Sequence, residues 1–400
     1  MNFGICTIIS KNYISFARTL IESYLKHHPD GKAFVLVTDQ LGNEIIPKNE
    51  KFNLIQLKDL QIPNVESLCF KYNITELNTA VKPFFMEYLL KKYQLGKLIY
   101  FDPDIYIFQN LKRIFDLLTE NSIVLTPHLL SPIKEDNLRP SEQDILKAGA
   151  YNLGFIGLSN SAVAAKFLIW WKERLYKHCF IRLESGLFVD QKWVDLVPGM
   201  FDTTYILRDI IYNAAYWNLH ERKITHKNGE FYVNGQILGF YHFSGFDISL
   251  KKISKHQTRH HFNQNPDLLK LFHFYKSNLE KNGFHMTINL KYSHDYFDNK
   301  IKIPPIVREI YKREISANTS FFKNPFVSHP PNSFFNWLTR PMTKSPKIPR
   351  LLHEIYNIRS DLKTKLPGGL KKNRKLLANW GLKSLAKEYG ISHDFLKRLM

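Results

Sequence analysis

Cysteine is scarce. The 400 residues hold three, Cys6, Cys69 and Cys179, an odd and scattered set without metal-ligand spacing. Neither a disulfide framework nor a thiolate metal site is expected, and buried, reduced thiols suit a cytosolic protein. Long apolar runs are missing too: none approaches the ~20 residues of a membrane span. The opening Met1-Asn2-Phe3-Gly4-Ile5 has no basic segment ahead of its apolar stretch, so it reads as a first strand and not as a signal peptide. Glycine is absent from Ile9-Ser10-Lys11-Asn12-Tyr13, where a glycine-rich phosphate loop would follow that strand. Acidic residues are few beside basic ones, 36 against 56, for a net charge of +20. The imbalance is local. Residues 301–400 carry 20 Lys and Arg against 6 Asp and Glu, whereas the first 300 carry 36 against 30. Such a tail is either a solvated basic face or one that attracts anionic surfaces.

What is present is an alternation of two periods. Phe3–Ile9 is strand-like, and from Ile14 to His27 the apolar Ile14, Ala17, Leu20, Ile21 and Tyr24 recur at helical spacing. Residues 33–38 and 52–57 read as two further strands. Thr79 can cap a helix running to about residue 93, with Pro83 tolerated in its first turn. Lys97–Phe101 is a short apolar strand bounded by Gly96; a helix over 111–118 and a strand over 122–127 follow. Strands separated by helical stretches of this length predict an α/β fold with a Rossmann-like, mostly parallel, helix-covered sheet. Beyond residue 150, strands over 150–158 and 236–243 flank a helix over 161–177 and a mixed stretch over 185–197. Periodicity breaks near 285–300, and prolines then become dense (Pro304, Pro305, Pro325, Pro330, Pro331, Pro341, Pro346, Pro349). Two domains are expected: an α/β domain over 1–285 and a basic, mainly helical C-terminal region over 286–400.

The chemistry concentrates in Tyr100-Phe101-Asp102-Pro103-Asp104. Pro103 biases Asp102 toward an extended conformation and ends the strand. Ligands of parallel α/β sheets bind beyond the carboxyl ends of strands. Two carboxylates there make a hard oxygen site suited to Mn²⁺ or Mg²⁺, which can hold a diphosphate; the same pair also occurs as a solvated acidic turn. Lys82 lies near a helix N-terminus, where anions are favoured. Tyr151-Asn152-Leu153-Gly154 sets an amide and a glycine in a strand, and glycine permits close approach of a ligand. Asp190-Gln191 follows a loop containing Gly186. His242, between Tyr241 and Phe243, is either a satisfied core histidine or a third metal ligand, and its position after the two aspartates favours the ligand. Trp170, Trp171, Trp193 and Trp217 could stack on sugar rings, though most read as core.

Taken in order across residues 1–250, these segments resemble the metal-dependent, nucleotide-sugar glycosyltransferases of the GT-A fold, especially the bacterial family 8-like group. That pattern has Asp-x-Asp after an apolar strand, an Asn-x-Gly strand, an Asp-Gln pair and a late His-x-x-Gly, here His242 to Gly245. The resemblance implies that Asp102, Asp104 and His242 ligate Mn²⁺ or Mg²⁺ bridging the donor diphosphate, with Asp102, Lys82 and Gly245 beside that diphosphate. It places Thr7 and Ser10 beside the base and ribose, and Asn152, Gly154, Asp190 and Gln191 toward the transferred sugar. Asp190 could orient sugar hydroxyls, act as base or nucleophile, or serve as a hydrogen-bonded structural aspartate. Gly245 is followed by Phe246-Asp247-Ile248 instead of the Lys-Pro-Trp usual in that group, so Lys251 or Lys252 would have to replace the lysine.

The expected activity is therefore transfer of a sugar from a nucleotide-diphosphate donor, UDP-sugar favoured, to a glycan, lipid-linked or other cell-envelope acceptor. The enzyme would be cytoplasmic, with the basic C-terminal region docking it peripherally at an anionic membrane surface. A sugar nucleotidyltransferase is the alternative enzyme, which the missing glycine loop disfavours. A nucleic-acid or membrane-binding protein with a degenerate transferase domain is the binding-class alternative. Nucleic acid is not the expected partner, because the basic residues do not interleave with aromatics on a sheet.

Overall fold

The computed structural model describes residues 2–317, 322–329 and 331–399; Pro330 of the proline-dense stretch lies outside them. Two compact units form, one from residues 1–61 and 76–291, the other from 62–75 and 292–400.

In the first unit the strands are β1 (Phe3–Ile9), β2 (Lys32–Val37), β3 (Asn53–Gln56), β4 (Lys97–Phe101), β5 (Ile105–Ile107), β6 (Ile123–Pro127) and β7 (Tyr151–Ser159). They continue as β8 (Ile181–Arg182), β9 (Leu187–Phe188), β10 (Thr204–Ile206), β11 (Ala214–Ala215), β12 (Ile224–Lys227), β13 (Glu230–Val233), β14 (Gln236–Ile237) and β15 (Phe240–His242). Seven of them make the main sheet in the order β10-β6-β7-β4-β1-β2-β3. All neighbours run parallel except at β7, which is antiparallel to both β4 and β6. The mostly parallel α/β sheet expected from the sequence is thus observed, with one reversed strand beside the strand that carries the acidic turn.

Burial explains the framework. Every residue of β4 is buried, as a strand paired on both edges and covered on both faces must be. The helix Ile14–His27 turns Ile14, Ala17, Leu20, Ile21 and Tyr24 fully into the core, the face its helical spacing gives. A second, three-stranded sheet in the order β11-β15-β5 lies immediately downstream of the acidic turn, because β5 begins one residue after Asp104.

Two expected elements are broken. The helix expected from Thr79 is divided into Ile74–Ala80 and Lys82–Lys92. Pro83 has no N–H to give the carbonyl of residue 79, so the helix cannot run through; the Thr79 hydroxyl bonds the Glu76 carbonyl at 3.1 Å instead of capping. The strand expected over 236–243 is divided at Gly239, where a Cβ would lie 2.5 Å from the Tyr212 ring.

The second unit has its own core, including Phe70, Val307, Ile310, Phe334, Leu351 and Ile355. It is mainly helical, as expected, with one antiparallel hairpin of β16 (Pro341–Lys344) and β17 (Lys347–Pro349). The first unit runs to residue 291, and residues 62–75 belong to the second unit from far upstream. Buried Arg308 explains the latter. It donates to the carbonyls of Cys69 at 3.1 Å, Phe70 at 2.6 Å and Tyr72 at 3.0 Å, satisfying the C-terminal end of the helix Val65–Lys71.

Candidate metal and ligand site

Strand register brings the acidic turn and the histidine together. Asp102 follows the last residue of β4, and its N–H donates to the Gly154 carbonyl of β7 at 2.8 Å. Across the second sheet His242 pairs with Ile105, and the Phe243 N–H donates to the Asp104 carbonyl at 2.8 Å. His242 Nε2 consequently lies 3.0 Å from Asp104 Oδ1 and 3.9 Å from Asp102 Oδ2. One ligand atom from each of the three falls within 4.8 Å of the others. Both carboxylates are partly open to solvent, whereas the imidazole is buried.

The imidazole is held from behind. Asn152 and Gly154 project from the same face of β7, two residues apart. A Cβ on Gly154 would sit 2.4 Å from His242 Cε1 and 2.6 Å from Nδ1, so glycine is what leaves room for the ring. His242 Nδ1 is 3.2 Å from Asn152 Oδ1, and the Trp217 ring meets it edge-on at 5.2 Å. With Nδ1–H donated to an amide oxygen, Nε2 faces the carboxylates. Burial alone would push the imidazolium downward, but Asp104 and then Asp102 outweigh it and hold His242 above its ordinary value. Two carboxylates plus an imidazole with its outer nitrogen already engaged are a donor set that fits a divalent cation.

Lys82 and Asp190 also meet. Lys82 is the first residue of its helix and almost wholly buried. Its ammonium is 2.5 Å from Asp190 Oδ2, donates to the Leu153 carbonyl at 2.8 Å and stands 4.1 Å over the Tyr100 ring. Burial raises the Asp190 carboxyl, and the Lys82 charge pulls it back without cancelling the rise. Gln191 is engaged at both ends: its side-chain oxygen accepts from the Leu153 N–H at 3.0 Å, and its NH₂ donates to the Ala148 carbonyl at 2.9 Å. That same oxygen is 3.3 Å from Asn152 Nδ2.

Thr7 is buried in β1, and among the described residues its hydroxyl has no hydrogen-bond partner; the Ser10 hydroxyl donates to Asn12 Oδ1 at 2.6 Å. Gly245 takes φ +69° in the turn after β15, where a Cβ would meet Ser254 Oγ at 2.5 Å. Among the described residues no hydrogen bond ties Ser10 or Gly245 to the Asp102–Asp104–His242 group. Lys251 and Lys252 are exposed.

Two neighbours were not expected from the sequence. The Tyr100 hydroxyl donates to Asp102 Oδ1 at 2.7 Å; strand alternation, which puts residues 100 and 102 on one face, would have found it. His128, whose ring meets that of Trp217 at 5.2 Å, carries no local signal; Trp217 itself is buried.

Fold and site thus define an α/β protein with a two-carboxylate, one-imidazole group at the carboxyl edge of a mostly parallel sheet. No family model matches the chain. It is similar to two proteins of Bacillus subtilis (strain 168), both described as uncharacterized. YfnD is 28% identical over 255 residues, covering 62% of this chain and 80% of that one. YfnF is 27% identical over 265 residues, covering 64% and 87%. Among solved structures, the Streptococcus pneumoniae TIGR4 glycosyltransferase GlyE overlaps with a TM-score of 0.41 at 14% identity, over 74% of this chain and 66% of that one. The galactosyltransferase LgtC, in complex with donor and acceptor sugar analogs, overlaps with a TM-score of 0.39 at 15% identity, over 60% and 86%. Mouse xyloside xylosyltransferase 1 gives 0.36 at 12% identity, over 60% and 97%.

Proposed function

We propose that the chain is a glycosyltransferase that moves a sugar from a nucleotide-diphosphate donor, with UDP-sugar favoured, to a glycan, lipid-linked or other cell-envelope acceptor. The observation that carries this reading is the convergence of Asp102, Asp104 and His242 at the carboxyl end of β4, where parallel sheets bind their ligands. These three would hold Mn²⁺ or Mg²⁺, and such an ion neutralises charge developing on a departing diphosphate.

The other residues take roles around that step, in which the anomeric C–O bond to the diphosphate breaks and one to an acceptor hydroxyl forms. Lys82 supplies positive charge behind the diphosphate and Gly245 a close backbone approach. Thr7 and Ser10 stand at the end of β1 for the base and ribose. Asn152, Gly154, Asp190 and Gln191 line the sugar side, with Asp190 the carboxylate available to orient a hydroxyl or take a proton. A cytoplasmic enzyme docked at an anionic membrane surface through its basic C-terminal region completes the reading; among the described residues no helix is long and apolar enough to cross a membrane.

Thermal-shift titration with a panel of nucleotides and nucleotide-sugars, with Mn²⁺ or with EDTA, tests it on wild type and Asp104→Ala. Stabilisation is expected with one nucleotide diphosphate, and it should disappear both with EDTA and in the variant. A folded wild type that no panel member stabilises in a metal-dependent way would sink the reading.

A further inference from the structure

The Asp190-Gln191 pair grips one residue of β7 from both sides. The N–H of Leu153 goes to the Gln191 side chain at 3.0 Å. Its carbonyl accepts from Lys82, which is in turn paired with Asp190. Next to Leu153 in the strand is Asn152, whose amide is the hub of a buried chain: Oδ1 faces His242 Nδ1 at 3.2 Å, and Nδ2 faces Gln191 Oε1 and His128 Nε2, each at 3.3 Å. These contacts fix which way the Asn152 amide points. Turned over, it would set its NH₂ against the His242 Nδ1–H and its oxygen against the Gln191 oxygen. Gln191 cannot turn over to accommodate this, since its oxygen accepts from the Leu153 N–H and its NH₂ donates to the Ala148 carbonyl.

We propose that Gln191 and Asn152 act as a two-step support for His242, with Gln191 setting the orientation of the Asn152 amide and Asn152 setting the imidazole so that Nε2 faces Asp102 and Asp104. Both are then positioning residues, and Gln191 acts on the site through Asn152. This inference rests on the metal reading of the preceding section. Outer partners of this kind change metal affinity, typically by ~10–100-fold, because they fix the tautomer and angle of the ligating ring.

The test is Mn²⁺ affinity of the full chain, read by electron paramagnetic resonance of free Mn²⁺. Asn152→Ala should weaken binding by ~10–100-fold, and Asn152→Asp, which keeps an oxygen facing Nδ1, should recover most of it. Gln191→Ala should weaken binding in the same direction by a smaller factor. The double variant should be no weaker than Asn152→Ala alone, because two residues acting in series are not additive. An unchanged Mn²⁺ affinity in Gln191→Ala, or full additivity in the double variant, overturns the proposal. If wild type binds no Mn²⁺, the metal reading fails and the support is read separately by ¹⁵N spectra of His242. A protected Nδ1 proton that is lost in Gln191→Ala upholds it, and identical spectra refute it.

Discussion

Lys82 and Arg308 are both long cations taken out of water, one in each unit, and they are put to different uses. Arg308 gives its donors to backbone carbonyls of residues 69, 70 and 72, and to that of His294 at 2.5 Å. A planar fork suits such a cluster of main-chain acceptors, and its charged partner, Asp295 at 3.2 Å, is itself open to solvent. Lys82 is committed to a carboxylate and a single carbonyl, next to a group of partly open acids and a buried imidazole. In the second unit a buried charge stitches chain segments together. In the first it holds another ionisable group where chemistry is expected. The difference shows that burial of a charge does not by itself mark a site; the identity of its partners does.

The comparison breaks most visibly under substitution. Arg308→Leu leaves several buried carbonyls unsatisfied and should cost about 3–5 kcal/mol, read by chemical denaturation. No second substitution can repair it, since the buried partners are main-chain carbonyls and only the solvent-open Asp295 is a side chain. Lys82→Met should cost a similar amount, but adding Asp190→Leu should return most of it, because an apolar pair of similar volume replaces a buried ion pair at little net cost. Equal, irreparable losses at both positions would erase the distinction.

Next in size is a pH effect that Arg308 cannot produce, its guanidinium being charged throughout. Burial pushes His128 down from 6.5 to about 4, and it accepts from Asn152 in its neutral form. Above pH 6.5 neither the folded nor the unfolded chain protonates it, and its contribution is complete. As pH falls from 6.5 toward about 4 the unfolded chain takes up the proton first, so stability drops, by about 3 kcal/mol in order of magnitude. Denaturation at pH 7 and pH 4 should show this difference shrink in His128→Gln; an unchanged difference would mean the ring is not held neutral.

How far these uses could be read from the chain varies with the signal. Six of the seven main-sheet strands and the helix Ile14–His27 were legible, since apolar runs and helical spacing report burial directly; β10, three half-buried residues, was not. The reversed direction of β7 was not, because a fully buried strand has the same pattern either way up. The break at Gly239 depends on Tyr212, and the transfer of residues 62–75 to the second unit depends on Arg308 more than 230 positions later; neither partner leaves a local mark. At the site, Asp102, Asp104 and His242 were expected together and stand together. The pairing of Lys82 with Asp190 and the chain from Gln191 to His242 needed the register of β7 against β4, which no single segment encodes.

The smallest effect separates the two roles of Tyr100, which links the two halves of the first unit's site. Its hydroxyl donates to Asp102 while its ring lies under the Lys82 ammonium. Tyr100→Phe removes the first and keeps the second, so stability should change by only about 1 kcal/mol. Asp102, freed from that donor, should then lose orientation, and Mn²⁺ affinity should fall by more than the stability change would suggest. Calorimetric Mn²⁺ titration beside thermal unfolding of the same variant checks both. A loss in stability with Mn²⁺ affinity intact would assign Tyr100 to the Lys82–Asp190 side, making it part of the packing that Arg308 exemplifies in the other unit and no part of the acidic turn.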